Sequence, residues 1–426
     1  MPTLLVILLF IFMLVGVPIA FAILLSGAAF LAITDLRPMM LVVQRLGMGV
    51  NSFPLLAIPM FILAGYLMEA LSISKRLTDW IEMLVGHVRG AMGVVTILAS
   101  AVFAALTGSG PATVASIGSI MIPSMKKSGY SASTAAGLMA AAGTLGPIIP
   151  PSIAMIVYGS TMNLSIPKMF IGGIIPGLLI TAMFIVVNTI LTMKYGFTAM
   201  LAKKHSGKDF LLATWRSSGA LLMPVVVLGG IYGGIFTPTE AGTICVVMSL
   251  LLGIAYRKIN YQVLKTALLR TLTGSASVVF IVASANLFGW LLTATRLPII
   301  VANAVTGFIA SPTAYLIMLS IFLFIVGALM DTLAAIVLLA PVLVPIGIQL
   351  GVDPLHLGVV FCVNLIVGFV TPPFGINLFT VMPVANVTYS EAVRGVIPFM
   401  VAAILGVLLI TFTSPLVTFL PGLAYK

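Results

Sequence analysis

The chain has 426 residues, of which 61% are hydrophobic and only 7% charged, and its mean hydropathy is +1.27. A soluble domain carries about 25% charged residues, so this chain cannot cover a water-facing surface, and its low charge and high apolar content also exclude a disordered chain. The net charge of +11 is no nucleic-acid signature, because the 20 Lys and Arg fall in short loops between apolar runs, where they orient a membrane protein.

A span needs about 20 apolar residues. In chain order, crossings are expected at 3–33, 53–71, 131–163, 169–193, 218–236, 239–256, 272–293, 355–385 and 391–416. The first reads as a crossing rather than a cleaved leader, since its apolar run continues from Thr3 to Ile33 with no basic start. Two segments, Leu71–His87 and Tyr256–Arg270, mix apolar and charged positions and read as amphipathic helices on the membrane surface. The segments 131–163 and 355–385 are interrupted by Gly146 to Pro151 and by Gly368 to Pro373. Proline removes a backbone donor, so each is predicted to be a broken helix. Two further segments, about 91–123 and 313–345, are too long for one crossing and too short for two. Each has an interruption at its centre, around Ser109 and around Asp331, and is predicted to be a re-entrant helical hairpin. Cys245 and Cys362 lie in apolar context without metal spacing and read as packing residues.

With the N-terminus in the cytoplasm, Arg37, Arg45, Lys168, Arg296 and Lys426 fall outside and the other 15 basic residues inside. This split predicts a cytoplasmic N-terminus and a periplasmic C-terminus. Shifting the chain by 222 residues superposes Pro123 on Pro345, Gly146 on Gly368, Pro150 on Pro372, Pro151 on Pro373 and Ser109 on Asp331. The organisation expected is a first repeat over 1–195, a cytoplasmic loop and connector helix over 196–238, and a second repeat over 239–426. The two hairpins open to opposite faces, so the repeats are inverted. The predicted fold is an all-α polytopic membrane protein of inverted-topology repeats, as in secondary transporters, which bind near the midplane at discontinuous helices.

Half-helix ends carry partial charge, and a hard cation such as Na⁺ prefers oxygen ligands. Ser109, Thr113 and Thr144 offer hydroxyls near the first break, and Asp331, Thr332 and Thr371 offer oxygens near the second. Gly108, Gly110, Gly146, Gly327, Gly368 and Gly375 permit close backbone approach. Any of these hydroxyls can equally cap a helix. An ionisable group at membrane depth such as Asp331 is a functional candidate by default. Pro150, Ser152, Glu240, Asn286 and Asn377 are candidates to line the substrate, with helix capping as the competing role for Glu240 and helix–helix bonding for the two asparagines.

Thr107-Gly108-Ser109-Gly110-Pro111-Ala112-Thr113, Gly146-Pro147-Ile148-Ile149-Pro150-Pro151-Ser152, Phe236-Thr237-Pro238-Thr239-Glu240-Ala241-Gly242 and Thr371-Pro372-Pro373-Phe374-Gly375-Ile376-Asn377-Leu378 occur in this order. Together they resemble the large membrane subunit of TRAP transporters over essentially the whole chain. The resemblance implies an elevator-type, Na⁺-coupled importer of organic acids in a bacterial or archaeal cytoplasmic membrane. It also implies two partners, a small four-helix membrane subunit and a periplasmic substrate-binding protein. By the same resemblance, the first set of glycines and hydroxyls would hold one Na⁺, and Gly327, Asp331, Thr332, Gly368, Thr371 and Gly375 another. C4-dicarboxylates, sugar acids and sialic acid are compatible substrates. The alternatives are an ion-coupled carrier working without a binding protein and an anion channel. An enzyme is disfavoured, because a membrane serine or aspartyl protease needs a second polar catalytic group at depth beside Ser109 or Asp331.

Overall fold

The computed structural model describes residues 2–197, 207–309 and 311–425. Lys203, Lys204 and Lys426 of the charge pattern lie outside them, as do the side chains of Lys208 and Arg216. Among the described residues every regular element is helical. The chain begins with α1 (Pro2–Leu14), α2 (Ile19–Thr34), α3 (Met40–Val50), α4 (Ala57–Ala70) and α5 (Ile73–Val85). Next come α6 (Ala91–Thr107), α7 (Gly110–Lys127), α8 (Ala132–Gly143), α9 (Leu145–Ile148), α10 (Ile153–Met162) and α11 (Ile166–Tyr195). A connector, α12 (Gly207–Tyr232), leads to α13 (Pro238–Ala255), α14 (Tyr261–Ala294) and α15 (Leu297–Phe308). The chain closes with α16 (Pro312–Leu329), α17 (Thr332–Gln349), α18 (Pro354–Val367), α19 (Ile376–Ala385), α20 (Tyr389–Phe412) and α21 (Pro415–Ala424).

The 222-residue shift carries α7 onto α17 residue for residue and α10 onto α19 within one residue. It also pairs α2 with α13, α5 with α15, α6 with α16, α8 with α18 and α11 with α20. The sequence reading missed α3, α15 and α21.

Two expectations are corrected. Residues 3–33 form two helices, because Gly16 takes a positive φ and Pro18 cannot continue the helix. α1 packs back along α2, burying Leu5 and Leu9. Tyr256–Arg270 is not a separate surface helix. Asn260 caps at Tyr261, its Oδ1 accepting from the Val263 N–H at 2.9 Å, and the helix then runs on to Ala294 without a proline. Its first-repeat counterpart is interrupted at Asn51–Pro54, which splits it into α3 and α4. The hairpin arms α16 and α17 are each long and apolar enough to cross by length and composition, and they reverse at Met330–Asp331.

α11 serves as a ruler for the hairpins. Near its C-terminus Asn188 donates to the Gly90 carbonyl at 3.0 Å and accepts from the Tyr130 hydroxyl at 2.9 Å, closing the base of the α6–α7 hairpin. Near its N-terminus Met169 and Gly172 pack on Gly358 and Val359 of α18. Leu357 of the same helix packs on Gly347, at the base of α16–α17. At 1.5 Å per residue the two bases are about 25–30 Å apart, yet both tips line one cavity. The hairpins therefore enter from opposite faces and meet inside.

Small residues make this packing possible, as is usual between membrane helices. α8 (Ala-Ser-Thr-Ala-Ala-Gly-Leu-Met-Ala-Ala-Ala-Gly) is buried from Ala135 to Gly143, and a Cβ on its Gly137 would fall onto the backbone of Gly395 in α20. Struts link the repeats: the Lys126 ammonium donates to the Ala385 carbonyl at the end of α19 at 2.6 Å, and Ser133 donates to the Glu391 carbonyl at 2.6 Å. The hairpins, the broken helices, α11, α20 and α21 form an interlocked core. The remaining helices frame it, α14 packing against α2, α3, α4 and α17. Cys245 and Cys362 are free and buried.

Candidate functional site

Each hairpin reverses for a local reason. Gly108 takes φ +62° as the C-cap of α6, Ser109 is extended, and Pro111 opens α7. In the second hairpin Met330 and Asp331 are both extended, and one Asp331 oxygen accepts from the Leu333 and Ala334 N–H groups at 2.9 and 3.2 Å. Asp331 is thus the N-cap of α17, yet the residue remains exposed toward the cavity. Neighbouring Thr332 has a buried hydroxyl with no partner among the described residues.

Each break lies against its own hairpin. Ser152 caps α10, its hydroxyl accepting from Met155 N–H at 3.2 Å and donating to the Pro147 carbonyl. A Cβ on Gly146 would come within 2.6 Å of the Ser109 carbonyl and 3.0 Å of the Thr113 hydroxyl. That hydroxyl donates to the same Ser109 carbonyl at 2.8 Å. In the second repeat Gly368 and Gly327 are so close that a Cβ on Gly368 would fall onto the Gly327 backbone. Gly327 is therefore a packing position inside α16, not part of the unwound tip. Thr144 donates to Ala141 O at 2.7 Å and Thr371 to Val367 O at 3.1 Å. Gly375 donates its N–H to the Thr371 carbonyl at 3.1 Å. These hydroxyls are tied to upstream carbonyls, which leaves their oxygens able to accept or to coordinate.

The tips meet in a cavity of about 220 Å³ lined by Ser109, Gly110, Asp331, Thr332, Phe369 and Ile376 together with Phe61, Gly65, Tyr66, Gly274 and Val278 of the frame. Asn377, at the start of α19, reaches across repeats and donates to Ala140 O at 3.0 Å. Among the described residues its own oxygen is buried and unpartnered, 2.9 Å from where a Cβ on Gly110 would stand. Pro150 and Ser152 are buried in the first break.

Two candidates lie elsewhere. Glu240 forms a capping box with Thr237 at the start of α13, accepting from its N–H at 2.8 Å and hydroxyl at 2.9 Å, on an exposed surface away from the tips. Asn286 lines a separate cleft with Arg45 and Trp290. The frame residues of the cavity carry no polar motif, so sequence inspection had no signal for them. Among the described residues no cluster of three His, Cys, Asp or Glu side chains exists. A cation here would meet hydroxyls, carbonyls and one carboxylate, a hard-oxygen set.

Inverted hairpins and broken helices meeting at mid-depth define the fold of a secondary transporter. The family model described as "Tripartite ATP-independent periplasmic transporter, DctM component" matches residues 6–416. The isethionate TRAP transporter permease protein DctMQ of Oleidesulfovibrio alaskensis is 40% identical over 95% of this chain, which spans 64% of that protein's length. The 2,3-diketo-L-gulonate TRAP transporter large permease protein YiaN of Escherichia coli is 37% identical over 90% of each chain. The YdaH transporter of Alcanivorax borkumensis shares the fold at a TM-score of 0.64, with 13% identity over 87% of this chain and 86% of that one. The chain belongs to the DctM family of TRAP transporter large permeases and is a multi-pass membrane protein.

Proposed function

We propose that this chain imports an organic anion, coupled to Na⁺, by an elevator movement of its hairpin core within the frame. The face bearing Arg76, Lys126 and Arg257 is then cytoplasmic, and the face bearing Arg45, Lys168 and the C-terminus is periplasmic, in a bacterial inner membrane. The substrates in the relatives' names, isethionate and 2,3-diketo-L-gulonate, are small oxygen-rich anions. They favour that chemical class here, within which C4-dicarboxylates and sialic acid also fit. The fused name DctMQ and the word "tripartite" in the family description favour a small membrane subunit and a periplasmic binding protein as partners.

One observation carries the reading. Under the 222-residue shift most of the core side of the tip cavity maps onto itself: Ser109 onto Asp331, Gly110 onto Thr332, Pro111 onto Leu333, Pro147 onto Phe369 and Ala154 onto Ile376, all of them lining residues, while Thr107, Gly108, Ala112 and Ile153 map onto residues outside the lining. The frame side does not. Phe61 and Gly65 map onto Ala283 and Leu287, while Gly274 and Val278 map onto Ser52 and Leu56, toward the opposite face. A core with this internal symmetry inside a frame that lacks it favours two positions, one facing each side. The unpartnered Thr332 hydroxyl and the exposed Asp331 favour Na⁺ at the tips.

Two measurements test this. Uptake of labelled organic acid into proteoliposomes should need this chain, the small subunit and the binding protein together, and full activity from this chain alone would refute the assembly. Single cysteines at Lys127 and Asp353, beside the two hairpin bases, should react with an impermeant thiol reagent from opposite sides of the membrane. Labelling of both from the periplasm would refute the inverted arrangement.

A further inference from the structure

A cavity of about 400 Å³ lies between α3 and α14 of the frame and the hairpin core, lined by Arg45, Ser52, Ser160, Asn163, Asn286 and Trp290. The Arg45 guanidinium sits 4.9 Å from the centroid of the Trp290 ring. Among the described residues Arg45 has no ion-pair partner, and no carboxylate lines the cleft. Ser52 of the frame and Ser160 of the core place their hydroxyls 3.1 Å apart across it. Among the described residues the Asn286 amide oxygen is buried without a partner.

We propose that this cleft is an anion-receiving site on the periplasmic side, where Arg45 holds a carboxylate or sulfonate before the hairpin tips take it. The proposal rests on the import reading and its orientation. An indole beneath a guanidinium holds it by cation–π attraction and leaves the in-plane N–H fork free for a bidentate oxyanion. Ser52 and Ser160 bond to each other, which leaves one hydroxyl proton as a further donor within the same cleft.

The cytoplasmic mouth has a related arrangement with a different charge balance. Arg270 lies 5.8 Å from the centroid of the Tyr66 ring, and Tyr66 lines both the tip cavity and the cleft that holds Arg270. The 222-residue shift carries Arg45 onto Ala267, one helical turn before Arg270. Each mouth therefore holds an arginine over an aromatic ring; Glu69 shares the cleft of Arg270, whereas the carboxylate nearest the Arg45 cleft, Glu240, lines an adjoining cleft that shares Ser52, Ser160 and Asn163.

The test reads the cleft's charge without needing transport. The full chain carries Thr161→Cys, a cleft-lining position, in a Cys245→Ala, Cys362→Ala background in spheroplasts. Its modification rates are measured with an anionic and a cationic methanethiosulfonate added outside. The anionic reagent should react faster, and Arg45→Gln should lower the anionic-to-cationic rate ratio roughly ten-fold, equivalent to about 1.4 kcal/mol. Arg45→Lys, which keeps the charge, should hold the ratio near that of the Arg45 protein. An unchanged ratio in Arg45→Gln, the same fall in Arg45→Lys, or no reaction from outside would overturn the proposal. Because no substrate or Na⁺ gradient enters the readout, failure of Na⁺-coupled uptake would leave these rates unaltered, and the two failures can be told apart.

Discussion

Gly368→Ala is expected to abolish transport and to reduce the amount of folded, inserted protein. The added Cβ would coincide with backbone atoms of Gly327, and backbone cannot rotate aside as a side chain can. Overpacking a side-chain core costs about 1–3 kcal/mol, and this substitution should exceed that range. Gly146→Ala should act in the same direction with a smaller effect, because its Cβ would meet the Ser109 carbonyl at 2.6 Å and the α6–α7 tip can yield slightly. The control is Gly229→Ala in the connector, where a Cβ meets nothing within 4 Å and replacing a helical glycine stabilises by about 0.4–1 kcal/mol. Thermal unfolding of purified protein and uptake per inserted molecule measure both effects. Near-normal uptake by Gly368→Ala would contradict the contact between the second break and its hairpin.

Asp331→Asn is expected to raise the Na⁺ concentration for half-maximal uptake by about ten-fold or more while leaving thermal stability nearly unchanged. The amide oxygen of Asn can keep the cap on Leu333 and Ala334, so what is lost is the charge facing the cavity. A contact from an ionised group is roughly twice as strong as its neutral counterpart, and about 1.4 kcal/mol is a factor of ten. Asp331→Ala removes cap and charge together and should add about 1 kcal/mol of destabilisation to the Na⁺ defect. Asp331→Ser, which caps without charge, should behave like Asp331→Asn. The series separates the two roles of one side chain, since the cap is read by melting and the cation contact by Na⁺ titration of uptake. Equal Na⁺ dependence in Asp331→Asn and the unsubstituted protein would leave Asp331 as a helix cap only.

The elements of the fold that were legible in the sequence are those whose breaks are covalent. The Pro150-Pro151 and Pro372-Pro373 pairs and the hairpin centre at Ser109 announce themselves because proline and glycine change what the backbone can do, and the centre at Asp331 because a carboxylate stands out in an apolar run. The separation of 222 residues then exposes the repeat. Elements without such marks were misread. α15 and α3 are short apolar helices that resemble parts of neighbouring spans, and the continuity of α14 past Arg270 depends on nothing interrupting it. At the site, sequence reading found the tips and breaks, because hydroxyls, glycines and one carboxylate stand out against an apolar background. It placed Glu240 and Asn286 with them because it had no distances. Glu240 is consumed by a capping box with Thr237, and Asn286 faces a different cleft. The frame residues Phe61, Gly65 and Tyr66 were invisible, because apolar residues acquire meaning only from what they face.

The most direct test of the central claim is uphill uptake driven by a Na⁺ gradient. This chain, the proposed small membrane subunit and the proposed binding protein would be combined in proteoliposomes, using the organic acid that thermal-shift screening shows the binding protein to hold. With Na⁺ high outside and K⁺ inside, the labelled acid should accumulate above its external concentration, and it should leak back when the Na⁺ gradient is collapsed. Accumulation of the same size with K⁺ on both sides, or flux that only equilibrates the acid across the membrane, would contradict Na⁺-coupled carriage at the meeting hairpin tips.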